Sequence, residues 1–312
     1  NVKVTLRIYT LFFVGRSEVY QRQLISLIAV AAVMISCTEK PAVPQEWQFE
    51  KTIDLDGINP IGIAMDGNDI FLSDGDHNRV VQVSEDGAIL FEMDGFERPM
   101  HIQFGAADYE ITDKFTTSML QERALFIPEY GRDSIAVMRR NKIDYLVLQD
   151  SLDAPAAISV YKNEMAIADF YPNRVLYYNG TDWISIGTEG KKLGQLYYPT
   201  DVQITEKYIF VADAYNHRGQ VFDKTGKGVA FIGVDQKMNA TTGIYVSDQE
   251  IFLTDFENGR VLVFDMEYQL KQILETGIHK PTDIYVKEAV LYITNYRKGE
   301  LVKYLLNEKT DV

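Results

Sequence analysis

Cysteine is nearly absent from this chain. Among 312 residues only Cys37 carries a thiol, so no internal disulfide forms and no Cys/His nucleophile pair is available inside a folded domain. Histidine is scarce too: His77, His101, His217 and His279 are the full set, so a three-histidine zinc site would consume almost all of them. Basic charge is in deficit, with 31 Lys and Arg against 45 Asp and Glu and a net charge of −14. The first 36 residues hold four bases (Lys3, Arg7, Arg16, Arg22) against one acid (Glu18), so the remainder stands at −17. Nucleic acid is therefore not expected as a partner, because phosphate binding relies on clustered Lys and Arg. The apolar run from Leu24 to Ser36 has 13 residues, short of the roughly 20 that a helix needs to span a bilayer. A glycine-rich phosphate loop of the P-loop type is also missing.

What the chain has is a repeat. The phrases SDGDHNRVVQV, PEYGRDSIAVM, ADFYPNRVLYY, ADAYNHRGQVF, TDFENGRVLVF and TNYRKGELVKY align on Asp74, Glu129, Asp169, Asp213, Asp255 and Asn295, with spacings of 55, 40, 44, 42 and 40 residues. A period near 42 with four strand-like segments per unit predicts an all-β chain folded as a six-bladed β-propeller. Pro60, Pro155, Pro199 and Pro281 each lie 14 residues before their anchor, and Thr241 takes that place in the fifth unit. Short β-prone stretches such as IFLSD, MAIAD, IFVAD and IFLTD end at the anchors and read as strands covered on both faces. The last anchor is only 17 residues from the C-terminus, too few for a fourth strand. The segment 47–57 fits that role, so the N-terminal strand is expected to pair in the last blade and close the ring. Blade two carries an insertion, residues 105–122, in which Ser118 and Gln121 at capping-box spacing suggest a short helical turn. That loop is either a docking element or a surface decoration.

The leader reads as a secretory signal over residues 1–36, basic first and then apolar, ending at small Ser36. MISC at 34–37 resembles the lipobox of bacterial lipoproteins, with Met34 where that motif prefers Leu. The resemblance implies acylation of Cys37 and a lipid-anchored protein of the cell envelope, on the outer membrane and facing the periplasm or the surface. Residues 37–46 would then be the lipidated cysteine and a polar, Pro-containing tether, 47–306 the propeller, and 307–312 a tail.

The stretches DGDHNRVVQV, DFYPNRVLYY, DAYNHRGQVF and DFENGRVLVF resemble NHL repeats, and the likeness covers 47–306. Blades two and six depart from it, with Glu129 and Asn295 at the anchor and no Arg at the fifth position after it. The resemblance implies that Asp74, Asp169, Asp213 and Asp255, with Arg79, Arg174, Arg218 and Arg260, are structural. NHL-type rings include RNA- and protein-binding domains and the peptidylglycine amidating lyases, which hold zinc with three histidines. Related six-bladed rings include lactonases with a divalent ion in the channel. Lipid-anchored proteins resembling this chain are common in Bacteroidetes-like bacteria.

The second residue after each blade-opening position should look into the central channel. Around the ring it is Gly62, His101, Ala157, Asp201, Gly243 and Asp283, so small and polar residues alternate. His101, Asp201 and Asp283 are then about 120° apart and could hold a divalent metal ion, ordered water or a cationic ligand group. The residues just after the anchors include Tyr130, Phe170, Phe256 and Tyr296, with Tyr171, Tyr215 and Arg297 next to them. These could form an aromatic belt around the channel mouth that stacks on a glycan or clamps a peptide or protein, or they could pack between blades. The sequence favours a non-catalytic binding scaffold with those seven ring and belt residues as contacts. A metal-dependent hydrolase or lyase is the alternative, and only one of the four histidines sits on the inner ring, which argues against a three-histidine lyase site.

Overall fold

The computed structural model describes residues 45–309, apart from 113–116, 121 and 141. The expected lipidation site, Cys37, and the leader lie outside the described residues. The chain forms six antiparallel sheets arranged as a β-propeller. Blade 1 is β2 (Pro60–Asp66), β3 (Asp69–Asp74), β4 (Arg79–Val83) and β5 (Ile89–Asp94), following β1 (Gln45–Asp54). Blade 2 holds β6 (Gln103–Ala106), β7 (Tyr109–Thr112), β8 (Thr117–Leu120), β9 (Arg123–Glu129), β10 (Ser134–Arg139) and β11 (Lys142–Leu146). Blades 3 and 4 run from β12 (Pro155–Tyr161) to β15 (Trp183–Ile186) and from β16 (Pro199–Ile204) to β19 (Gly228–Ile232). Blade 5 runs from β20 (Ile244–Val246) to β23 (Leu270–Leu274); blade 6 is β24 (Pro281–Lys287), β25 (Val290–Asn295) and β26 (Glu300–Glu308).

Ring closure follows the sequence logic. β1 pairs antiparallel with β26, from Gln45 opposite Glu308 to Asp54 opposite Glu300, as the outer strand of blade 6. Trp47 secures it: the side chain is buried, its indole N–H donates to Glu250 Oε2 at 2.9 Å, and its ring meets Phe252 edge-on at 5.8 Å. The core is divided into six apolar clusters, each lying between two neighbouring blades, so no blade buries its faces alone.

The repeat motif proves to be a set of backbone clamps. All six anchors are fully buried. Each accepts a backbone N–H from the segment entering its own blade, as Asp213 does from Tyr197 at 2.7 Å and Glu129 from Glu97 at 2.8 Å. In the four blades with a motif arginine, Nε donates to the anchor carboxylate at 2.7 to 2.9 Å. The fourth residue after every anchor is left-handed: Asn78, Asp133, Asn173, His217, Gly259 and Gly299 have φ between 52° and 65°. That explains why Asn, Gly, Asp or His precedes the fifth position, since these types tolerate that region best. Four of these side chains also reach across to the next blade, where Asn78, Asp133, Asn173 and His217 accept the N–H of Arg98, Ala154, Tyr198 and Ala240.

The helical turn expected near Ser118 is not formed. Residues 117–120 are strand β8, which pairs with β7 to make a hairpin added outside β11 and extends blade 2 to six strands. The alternation of Tyr109 and Ile111, which are buried against Phe126 and its neighbours, sets a two-residue period that outweighs the isolated capping pattern.

Candidate functional site

The innermost strands are brought together at the channel by the residues that are small. A Cβ on Gly62 would stand 2.6 Å from the Met100 carbonyl oxygen, and one on Gly243 would stand 2.4 Å from that of Thr282, so only glycine permits this approach. Each carboxylate is bonded to the next blade's backbone beside that blade's glycine. Asp283 accepts the N–H of Ile63 at 2.9 Å, next to Gly62, and Asp201 that of Ile244 at 2.8 Å, next to Gly243. The His101 backbone bridges to Ala157, its N–H donating to the Ala156 carbonyl at 3.0 Å. Each carboxylate also accepts its own following N–H, from Val202 and Ile284.

The three polar side chains converge. His101 Nδ1 is 3.6 Å from Asp201 Oδ2 and 3.5 Å from Asp283 Oδ2, and all three residues are buried, at 4, 6 and 6% exposure. Nδ1 has no hydrogen-bond partner among the described residues, so its attraction to the two carboxylates is Coulombic. Burial disfavours the imidazolium, yet the charges of Asp201 and Asp283 outweigh it and lift His101 to about 9. Asp201 is pushed up to about 7 by burial, with His101 opposing and Asp283 adding. One ligand atom from each residue lies within 4.8 Å of the others. An ion about 2.0–2.2 Å from tetrahedral ligands spaces them roughly 3.3–3.6 Å apart, which the two N to O distances match. The donor set therefore fits a divalent cation, and equally fits an imidazolium held between two carboxylates.

A cavity of about 60 Å³ adjoins the triad, lined also by Gln103, Gln203, Tyr245 and Tyr285. Those residues lie two positions further along the strands, away from the loops that carry the aromatic residues. None of Tyr130, Phe170, Phe256 and Tyr296 lines it. The expected contacts thus fall into separate sites rather than one mouth.

The belt itself is an arc and a pair. Phe170 stacks on Tyr198 at 4.6 Å and 15°, and Tyr198 on Tyr197 at 4.5 Å and 26°. Tyr215 and Tyr171 stand edge-on to Tyr198 at 5.0 and 6.2 Å. Tyr130 donates its hydroxyl to Tyr171 at 2.9 Å and carries the Arg98 guanidinium 5.2 Å from its ring. Burial and that hydrogen bond hold the Tyr130 phenol well above its usual range. Phe170 and Tyr198 are interblade packing, whereas Tyr171 and Tyr215 keep 51 and 53% of their surface in solvent. Phe256 and Tyr296 form the second group, 6.5 Å apart, with Tyr296 donating to Asp76. Tyr197 and Tyr198 were not picked out by the repeat because they precede the opening proline. The tandem Tyr-Tyr-Pro at 197–199 is the signal that marks them.

The other histidines do not converge. His77 Nδ1 bonds the Asp74 carboxylate, His217 Nδ1 accepts from Ala240, and His279 is exposed. A three-histidine metal site is therefore not formed.

Neither the family models nor the curated proteins contain a match to the chain. Among solved structures, the fold is similar to virginiamycin B lyase from Staphylococcus aureus at 12% identity, with a TM-score of 0.60 over 85% of this chain and 100% of that one. It is also similar to a streptogramin B lyase at 12% identity and TM-score 0.57, over 85% of this chain and 98% of the other. A gluconolactonase from Xanthomonas campestris matches at 14% identity and TM-score 0.61, over 85% of this chain and 100% of its own. At these identities the likeness is one of fold, and what it establishes is a six-bladed β-propeller.

Proposed function

We propose that this protein is an NHL-like propeller tethered to the cell envelope through a lipid on Cys37, and that it binds glycan chains on the aromatic arc of blades 2 to 4. The observation that carries this reading is that Tyr171 and Tyr215 stay about half exposed although both abut the Phe170–Tyr198–Tyr197 stack. Rings held rigidly by neighbours with exposed faces suit the apolar faces of sugars at little entropic cost. In the channel, His101, Asp201 and Asp283 would hold one divalent cation that ties alternate blades together. Its 60 Å³ cavity is far below the roughly 300–1,000 Å³ of pockets that enclose small-molecule ligands. Titration of soluble oligosaccharides tests the reading: the wild type should bind at least one, and Tyr171→Ala/Tyr215→Ala should not. Binding that survives in the double variant would defeat it.

A second reading is favoured by the unpartnered Nδ1 of His101 facing two carboxylates, and by the lyase and lactonase activities named for proteins of this fold. There the triad would hold a divalent ion able to polarise a substrate oxygen or activate water. Cation-dependent turnover of an ester or lactone that is abolished in Asp201→Asn would establish it.

A further inference from the structure

Blades 1 and 2 part at the ends of their innermost strands, leaving a cleft of about 520 Å³. Its blade 1 wall is a row across three strands, Phe71 opposite Gln82 and Gln82 opposite Phe91. Phe104 and Met138 face it from blade 2, both paired to Leu125 on the strand between them. These four apolar side chains are only half-buried, and Phe71 meets Phe104 edge-on at 5.1 Å. The rim is basic. Arg123 lies over Phe104 at 5.3 Å and reaches across the cleft to Asp66 at 3.0 Å, Arg140 is exposed beside it, and Arg139 stands at the end. Among the described residues Asp66 is the one acid that lines the cleft; Glu122 and Asp144, nearby, pair with Arg139.

A basic rim over an apolar floor is unusual on a chain with net charge −14. We propose that this cleft is a binding site for an anionic amphiphile, a small organic acid whose headgroup meets Arg123 and Arg140 while its apolar body lies on Phe71, Phe91, Phe104 and Met138. The volume lies within the range of small-ligand pockets, and guanidinium groups suit carboxylate, sulfonate or phosphate headgroups. The Arg123–Asp66 pair is about half exposed on both sides, so exchanging Asp66 for a ligand anion costs little. The site is independent of the aromatic arc and of the channel.

The test is a fluorescence titration of the purified protein with 8-anilinonaphthalene-1-sulfonate, followed by competition. One probe should bind per chain, decanoate should displace it, and decyltrimethylammonium, with the same chain and opposite charge, should not. Arg140→Glu should weaken binding by about tenfold or more, the worth of one charged hydrogen bond. Phe91→Ser should weaken it by a separate route. Equal displacement by the cationic competitor would overturn the proposal, as would displacement by inorganic phosphate as strong as by decanoate. Unchanged affinity in both variants, or a probe signal that rises only with self-association measured by sedimentation, would overturn it as well.

Discussion

His101 presents its Nδ1 3.5 Å from Oδ2 of Asp283, close enough to feel the charge and too far for a hydrogen bond, in a site that is almost wholly buried. The geometry leaves that nitrogen with two ways to be satisfied, a proton or a cation, and they respond oppositely to pH.

In metal-free protein the proton is the answer. The His101 pKa rises from 6.5 to about 9 on folding, so its stabilisation is fully present below 6.5 and is lost as pH climbs through 9. Unfolding free energy should fall by up to about 1.4 kcal/mol per pH unit across that window. Asp201, raised from 3.8 to about 7, also makes the folded state hold its proton longer and adds to the decline between those two values. Denaturant melts at several pH values in a chelator should show the slope above pH 7, and His101→Gln should lack it. With a divalent cation added, stabilisation should instead grow with pH, because the ligands must be deprotonated.

Removing an anchor should be costly to the stability of the ring. Asp213→Ala deprives the Tyr197 N–H, Asn216 and the buried Arg218 of their shared acceptor. A loss of about 3–5 kcal/mol is expected from stranding a buried charge. Equilibrium unfolding measures it, and a change under 1 kcal/mol would contradict the clamp assignment.

Two glycines with nearly equal φ separate torsion from contact. Gly67 has φ 59° with open space around it, whereas Gly259 has φ 65° and a Cβ there would lie 2.7 Å from the His279 carbonyl oxygen. Substitution to alanine should cost about 1 kcal/mol at Gly67 and clearly more at Gly259. Equal costs would show that the turn after the anchor is not held against the next blade.

The closing strand should carry a large share of the cooperativity. Trp47→Ala removes a buried indole and leaves Glu250 without that donor, at an expected cost of about 3–5 kcal/mol. A melt that becomes non-two-state in this variant would be the sign of a ring opening at blade 6.

The fold was legible because the repeat encodes backbone necessities: a proline paired with its anchor, a left-handed residue before the fifth position, and a terminal segment that completes the last sheet. The inner ring was legible for the same reason, since a fixed offset from each proline placed His101, Asp201 and Asp283 together. The β7–β8 hairpin was not, because it belongs to one blade alone and its alternation spans only four residues per strand. The division of the site was also hidden. Offsets along a strand do not show how tightly Gly62 and Gly243 let the strands close, nor that the channel cavity is lined by none of the four aromatic residues. Tyr197 and Tyr198 escaped because they lie outside the repeated phrase.

The arc and the channel can be set directly against each other. Oligosaccharide titrations on the wild type, Tyr171→Ala/Tyr215→Ala and His101→Gln, all confirmed folded by thermal melts, measure which site does the work. Binding lost in the tyrosine variant and kept in His101→Gln is the predicted result. Binding kept without the two tyrosines and lost without His101 would contradict the account and move the function into the channel.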